Sequence, residues 1–152
     1  MIKKILIIIF LPFALYGCDY TPIYSADNSY DFYIEKIIQE GNGEINTLIR
    51  NKLKRYQKKE SKKSFIIKNI SSFKKNSLSK NKSGKTNQFL LSLEVQFIIK
   101  SENNEKDFVI KEEFSMKNFE NEFDERNYER TIKNNMTELV VNNLIIQLSS
   151  MQ

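Results

Sequence analysis

The chain has no histidine, no tryptophan, one cysteine, two prolines and four glycines in 152 residues. Each shortage excludes something. Without His there is no His-based catalytic triad, no thiolate–imidazole pair and no His-containing zinc site. A single Cys, Cys18, allows neither an internal disulfide nor a thiolate cluster. The few glycines form no phosphate-cradling loop. Long hydrophobic runs are missing too. The run Ile5–Tyr16, interrupted only by Pro12, falls short of the ~20 apolar residues that a membrane-crossing helix needs. No cofactor pattern, metal-ligand set or catalytic constellation is legible, so an enzyme is not expected.

What is present starts at the amino terminus. Met1-Ile2-Lys3-Lys4 followed by the apolar run has the form of a secretory signal peptide. Leu15-Tyr16-Gly17-Cys18 then resembles the lipobox of bacterial lipoproteins. There the Cys thiol is alkylated with diacylglycerol, the chain is cut before the Cys, and the new amino terminus is acylated. The resemblance implies that Cys18 is a lipidation site, with 1–17 a removed signal peptide, 18–29 a lipidated tether and 30–152 a single domain. The alternative is an ordinary signal peptide with an incidental cysteine. Lipidation would dispose of an otherwise exposed thiol, and several acyl chains anchor a protein stably where one does not.

Removal of residues 1–17 leaves 135, enough for one real core. The hydrophobic fraction of 40% and charged fraction of 28% are those of a globular domain. The formal charge of +5 becomes +3 without Lys3 and Lys4. Its distribution says more. From Arg50 to Lys85 there are fourteen basic residues and one acid, Glu60, whereas Ser101–Arg130 holds ten acids and five bases. One basic side and one acidic side follow, with a polyanionic partner favoured near the first.

Periodicity predicts a strand over Tyr30–Ile38, rich in aromatic and β-branched residues. Gly41-Asn42-Gly43 interrupts the chain, and Ile45, Leu48, Ile49, Leu53 and Tyr56 recur at helical spacing over 43–59. A second strand is predicted over Ser64–Phe73 and an aperiodic loop over Lys74–Gln88. Phe89, Leu91, Leu93, Val95, Phe97 and Ile99 alternate with polar residues in a third strand, one face buried and one wet. Glu102–Glu105 makes a tight turn into a fourth, Asp107–Met116. Over 123–149 Tyr128, Ile132, Met136, Val140, Leu144 and Leu148 step every four residues, which predicts a long closing helix. The expectation is an α+β domain in the order β-α-β-β-β-α. Two helices pack on one face of a four-stranded mixed sheet, the first strand pair parallel and the others antiparallel.

Cys18, Tyr20, Pro22 and Tyr24, in a Cys-x-Tyr-x-Pro-x-Tyr pattern, resemble the mature start of the alphaproteobacterial LPS-assembly lipoprotein family, LptE. The segments FYIEKI, INTLIRNKLKRY, SLSKNKSGKTNQFLLSLEVQF and FSMKNFENEFDERNYERTIKNNMTELVVNNL extend the likeness along the mature chain. In that family the lipoprotein plugs an outer-membrane β-barrel, LptD, and the pair places lipopolysaccharide (LPS) in the outer leaflet. The resemblance implies an LptD-like barrel and LPS as partners, and a lipid anchor on the periplasmic side of the outer membrane. Asp19, directly after the Cys, resembles the inner-membrane retention signal of enteric lipoproteins. A periplasmic auxiliary lipoprotein of a lipid-transporting ABC system is therefore the alternative.

The candidate contact surface is the predicted loop Lys74–Asn87. Lys74, Lys75, Lys80, Lys82 and Lys85 lie there without an acid, among Ser, Thr and Asn donors. Phosphates of LPS would meet such a loop with charge-assisted hydrogen bonds, and the competing reading is a solvated loop. Nucleic acid is not an expected partner, because export removes the chain from it. Glu120, Glu122, Asp124 and Glu125 read as a solvated helix start, where acids favour the dipole, rather than as a cation site.

Overall fold

The alternation of residues 89–99 sets the sheet. In the computed structural model, which describes residues 31–58, 61, 63–102 and 104–151, the third strand is β3, Thr86–Lys100. Leu91, Leu93, Val95, Phe97 and Ile99 are wholly buried on one side of it, while Glu94 faces solvent on the other. Fully burying one such side chain stabilises by about 1.5–3 kcal/mol, so this strand alone anchors much of the core.

The other strands are β1 (Phe32–Gly41), β2 (Lys63–Lys80) and β4 (Glu105–Lys117), in the sheet order β1-β2-β3-β4. β1 and β2 run parallel, and β2–β3 and β3–β4 are antiparallel, as predicted. A register shift between Ile34 and Lys36 lets β1 keep both Ile34 and Ile37 on the core side.

Helix α1 spans Gly43–Leu53 and continues as a 3-10 turn, Lys54–Gln57; helix α2 spans Glu122–Ser150. Each starts on an asparagine cap. Asn42 Oδ1 accepts from the Ile45 amide at 3.1 Å, and Asn121 Oδ1 from the Phe123 amide at 2.8 Å. Ile45, Ile49, Leu53 and Tyr56 meet Ile132, Met136, Val140, Leu144 and Leu148 in one core with the inner face of the sheet. The α+β fold in the order β-α-β-β-β-α, with both helices on one face, is the one expected. No helix among the described residues is long and apolar enough to cross a membrane.

One polar cluster is buried inside this core. Asn69 Nδ2 and Ser71 Oγ both donate to Asn46 Oδ1, at 2.8 and 2.7 Å, and Asn46 Nδ2 donates to the Glu40 carbonyl at 3.1 Å. The cluster is fully satisfied and ties the first turn of α1 to β1 and β2.

The predicted loop over Lys74–Gln88 is corrected. β2 continues to Lys80 and β3 already starts at Thr86, leaving a turn of only five residues. The parallel partner β1 ends opposite Ser71, which leaves β2 an edge strand beyond that point, while β4 accompanies β3 as far as Gln88, the partner of Ser79; only the tip beyond that pair is two-stranded. The core-side positions of β2 after Phe73 are Lys75, which meets the carboxylates of α2, and Ser77, so no apolar alternation marks this stretch as strand.

Candidate functional site

Beyond the sheet the hairpin forms a finger, and its tip is built by one side chain. Asn81 Oδ1 accepts from the Ser83 amide (3.1 Å), the Ser83 hydroxyl (2.8 Å) and the Lys85 amide (2.9 Å). The Asn81 amide donates to the Lys85 carbonyl and the Gly84 amide to the Asn81 carbonyl, each at 2.9 Å. Gly84 takes φ +79°, a left-handed conformation that glycine adopts without strain. At the base, Asn118 clamps the finger by donating to the carbonyls of Thr86 and Asn87, at 2.7 and 2.9 Å.

The structure brings three of the five candidate lysines together. Lys80 ends β2 and Lys82 and Lys85 sit in the turn, all exposed, and among the described residues none is ion-paired. The remaining two go elsewhere, in a correction to the reading of one continuous basic loop. Lys74 lies on the helix-free face of the sheet, in a depression of about 180 Å³ with Glu94, Lys111 and Glu113. Lys111 already holds Glu94 at 3.0 Å, so that surface carries both signs.

Lys75 points the other way, toward α2. Its amine binds Glu125 at 2.6 Å and Glu129 at 2.9 Å and sits 4.4 Å from the centre of the Phe89 ring. Lys133, stacked 4.7 Å over Phe73, joins Glu129 at 3.0 Å to Glu44 at 2.8 Å. The chain of charges fastens α2 to both β2 and α1. Burial alone would lower the Lys75 pKa, but its hydrogen bonds to Glu125 and Glu129 outweigh that and raise it. Burial would likewise raise Glu129, yet Lys75 and Lys133 hold it below the usual carboxylate range. Lys75 is structural.

The acidic start of α2 is also dispersed. Glu125 is taken by Lys75, and Glu122 pairs with Arg126 one turn on, at 3.3 Å. Cys18, the candidate lipidation site, lies outside the described residues.

The finger can therefore present three ammonium groups to a polyanion. It offers no nucleophile activated by a base. The part missed by sequence reasoning is Asn81, although Asn-x-Ser-Gly at 81–84 is a turn-forming order of residues.

No family model matches the chain, and no curated protein sequence matches it. Its architecture does recur among solved structures. The chain is similar to the uncharacterized lipoprotein B from Nitrosomonas europaea, with TM-score 0.60 and 17% identity over 79% of this chain and 84% of that one. It is similar also to the rare lipoprotein B from Shewanella oneidensis, with TM-score 0.54 and 11% identity over 76% of this chain and 98% of that one. The chain has the fold of these lipoproteins. At such identities the likeness is one of architecture.

Proposed function

We propose that this chain is a lipid-anchored LPS-assembly factor of the LptE type. It binds an LptD-like outer-membrane β-barrel from the periplasmic side and helps insert LPS into the outer leaflet. It acts by binding, without turnover. The observation that carries this reading is the fold shared with two bacterial lipoproteins, one of them over 98% of its length, in a chain whose Cys18 stands in a lipobox-like sequence.

Within that role the finger is the LPS contact. Lys80, Lys82 and Lys85 meet the phosphates of the glycolipid as charge-assisted donors. Lys75 is withdrawn from the contact by its two carboxylates, and Lys74 by its place on the opposite, mixed-charge surface.

Asp19 supports a second reading, the auxiliary lipoprotein of a lipid-transporting ABC system held at the inner membrane. Copurification of the intact lipidated chain from mildly solubilised envelopes separates the two. An outer-membrane barrel in stoichiometric yield is expected; an inner-membrane permease in its place contradicts the LPS-assembly role and supports the second reading.

A further inference from the structure

Strand β4 forms one margin of the sheet, and among the described residues Glu105–Lys117 pairs with β3 alone. An open margin exposes backbone amides and carbonyls to any strand that fits, so sheets ordinarily blunt it. The β1 margin carries a register shift between Ile34 and Lys36, and the outer part of β2 carries two, around Ser79. β4 runs against β3 without a shift and holds neither proline nor glycine. It is guarded by charge alone, chiefly Lys106, Asp107, Lys111 and Glu112. Yet apolar surface lies beside the same margin. Val109 is 54% and Ile146 63% exposed. A groove of about 390 Å³ between β4 and α2 is lined by Phe108, Ile110 and Ile146 among others.

The charges stand in a self-complementary order. Let β4 meet the β4 of a second copy antiparallel, about a twofold axis at Val109. Lys106 then opposes Glu112, Asp107 opposes Lys111, Phe108 opposes Ile110 and Val109 opposes its own copy. By symmetry each charge pair occurs twice, and cross-strand pairs of opposite sign stabilise a sheet where like charges destabilise it. Other axes do worse. At Ile110, Asp107 faces Glu113; at Lys111 or Glu112, that residue faces itself; at Phe108, Lys106 and Asp107 face apolar side chains. The like-charged pair about Val109, Glu105 with Glu113, falls at the ends of the overlap, and Lys100 holds Glu105 at 3.0 Å. Within one chain Lys111 reaches Glu94 at 3.0 Å and Lys106 the side-chain oxygen of Gln147 at 3.0 Å, both exposed contacts that a second carboxylate can join.

We propose that β4 pairs edge to edge with the β4 of a second copy of this chain, which joins two four-stranded sheets into one continuous sheet. The axis stands perpendicular to the sheet, so both helix layers lie on one side and α2 of each copy flanks the seam. The opposed residues, 105–113, make a seam about 30 Å long. Val109 and Ile146 of both copies leave water there. A second copy is the occupant that the charge order selects. A polyanion or polycation would meet charges of both signs on this margin, and an unrelated strand would have to repeat its alternation. The inference goes beyond the LPS-assembly reading and does not depend on it.

The test is sedimentation of the lipidated full-length chain, with detergent micelles in excess so that a shared micelle does not pair the anchors. The wild type should be a dimer that dissociates on dilution. Lys106→Glu and Glu112→Lys each set like charges face to face and should raise the dissociation constant at least tenfold, with melting curves close to the wild type. Mixing the two variants should give a heterodimer, because each supplies the charge the other lacks. Lys106→Glu/Glu112→Lys in one chain should restore the dimer. Asp107→Lys and Lys111→Asp make the same exchange at the second pair if either of the first variants fails to fold. A wild type that stays monomeric overturns the inference. So does a dimer that both single reversals leave intact, which would seat the second copy elsewhere. Loss of the dimer that neither mixing nor the double exchange repairs overturns the Val109 register and the proposal with it.

Discussion

A Cβ on Gly41 would lie 2.0 Å from the carbonyl oxygen of Ser71, its register partner on β2. The closeness is needed because the Asn42 amide, one residue on, donates to that same oxygen at 3.0 Å and starts α1. Gly41 also has φ +91°, a conformation that side chains resist. Gly41→Ala should therefore cost roughly 3 kcal/mol or more, combining backbone strain with a clash that no flexible side chain can relieve. Gly84→Ala, in open space at the finger tip, should cost only about 1–2 kcal/mol from its left-handed backbone. Equilibrium denaturation of the two variants gives the comparison; equal losses would show that the β1–α1 junction tolerates a shift.

The strand β3 gives a second prediction. Leu93 is wholly buried and its neighbour Glu94 is exposed and paired with Lys111. Leu93→Asp places an unpaired charge in the core and should unfold the domain or lower its stability by several kcal/mol. Glu94→Gln should change it by at most about 0.5 kcal/mol, the scale of an exposed pair. Circular dichroism melts in which both variants behave alike would put this register in error.

β3 was legible because its two faces meet different surroundings, so every second residue had to be apolar. The helices were legible for the same reason at their own period, and the closing helix is within a residue of the predicted span at each end. The outer half of β2 was not, since the positions it turns toward α2 after Phe73 are Lys75 and Ser77, polar residues where alternation would put apolar ones. Nor could sequence show that Lys75 differs from Lys80. Its partners Glu125 and Glu129 lie 50 and 54 residues away and are brought to it only by the packing of α2 on β2. Asn81 was hidden by scale, one polar residue among many whose role depends on the closure of the turn.

The charge chain through Glu129 makes stability depend on pH. Its carboxyl is held below the ordinary value of 4.5, so the unfolded chain binds that proton more readily. The stabilisation is full above about pH 4.5 and is lost as pH falls through the lower folded value. Lys75 and Lys133, raised above 10.5, contribute fully below that pH and lose their contribution only as it rises through their folded values. Glu129→Gln should destabilise by about 1–2 kcal/mol at neutral pH, between an exposed and a buried pair. It should also lose less stability than the wild type on acidification below pH 4.5. Parallel acid titration curves for the two proteins would remove Glu129 from the linkage.

The finger predicts a separation of binding from folding. Replacing Lys80, Lys82 and Lys85 with Glu should weaken LPS binding while each substitution costs no more than about 0.5 kcal/mol of stability. The wild-type interaction should fade with salt, because exposed charges are screened over ~8 Å at physiological ionic strength. Normal LPS binding by the triple variant at low salt would leave the finger a solvated turn. Asn81→Ala, which keeps all three charges but unties the tip, should fall between the two.

A role in LPS assembly is measured most directly by the amount of LPS at the cell surface when this chain is depleted in its own bacterium. Surface LPS should fall while its synthesis continues, with the glycolipid retained inside the envelope, and restoring the wild-type chain should reverse the loss. Surface LPS that stays at its normal level through complete depletion would contradict that role.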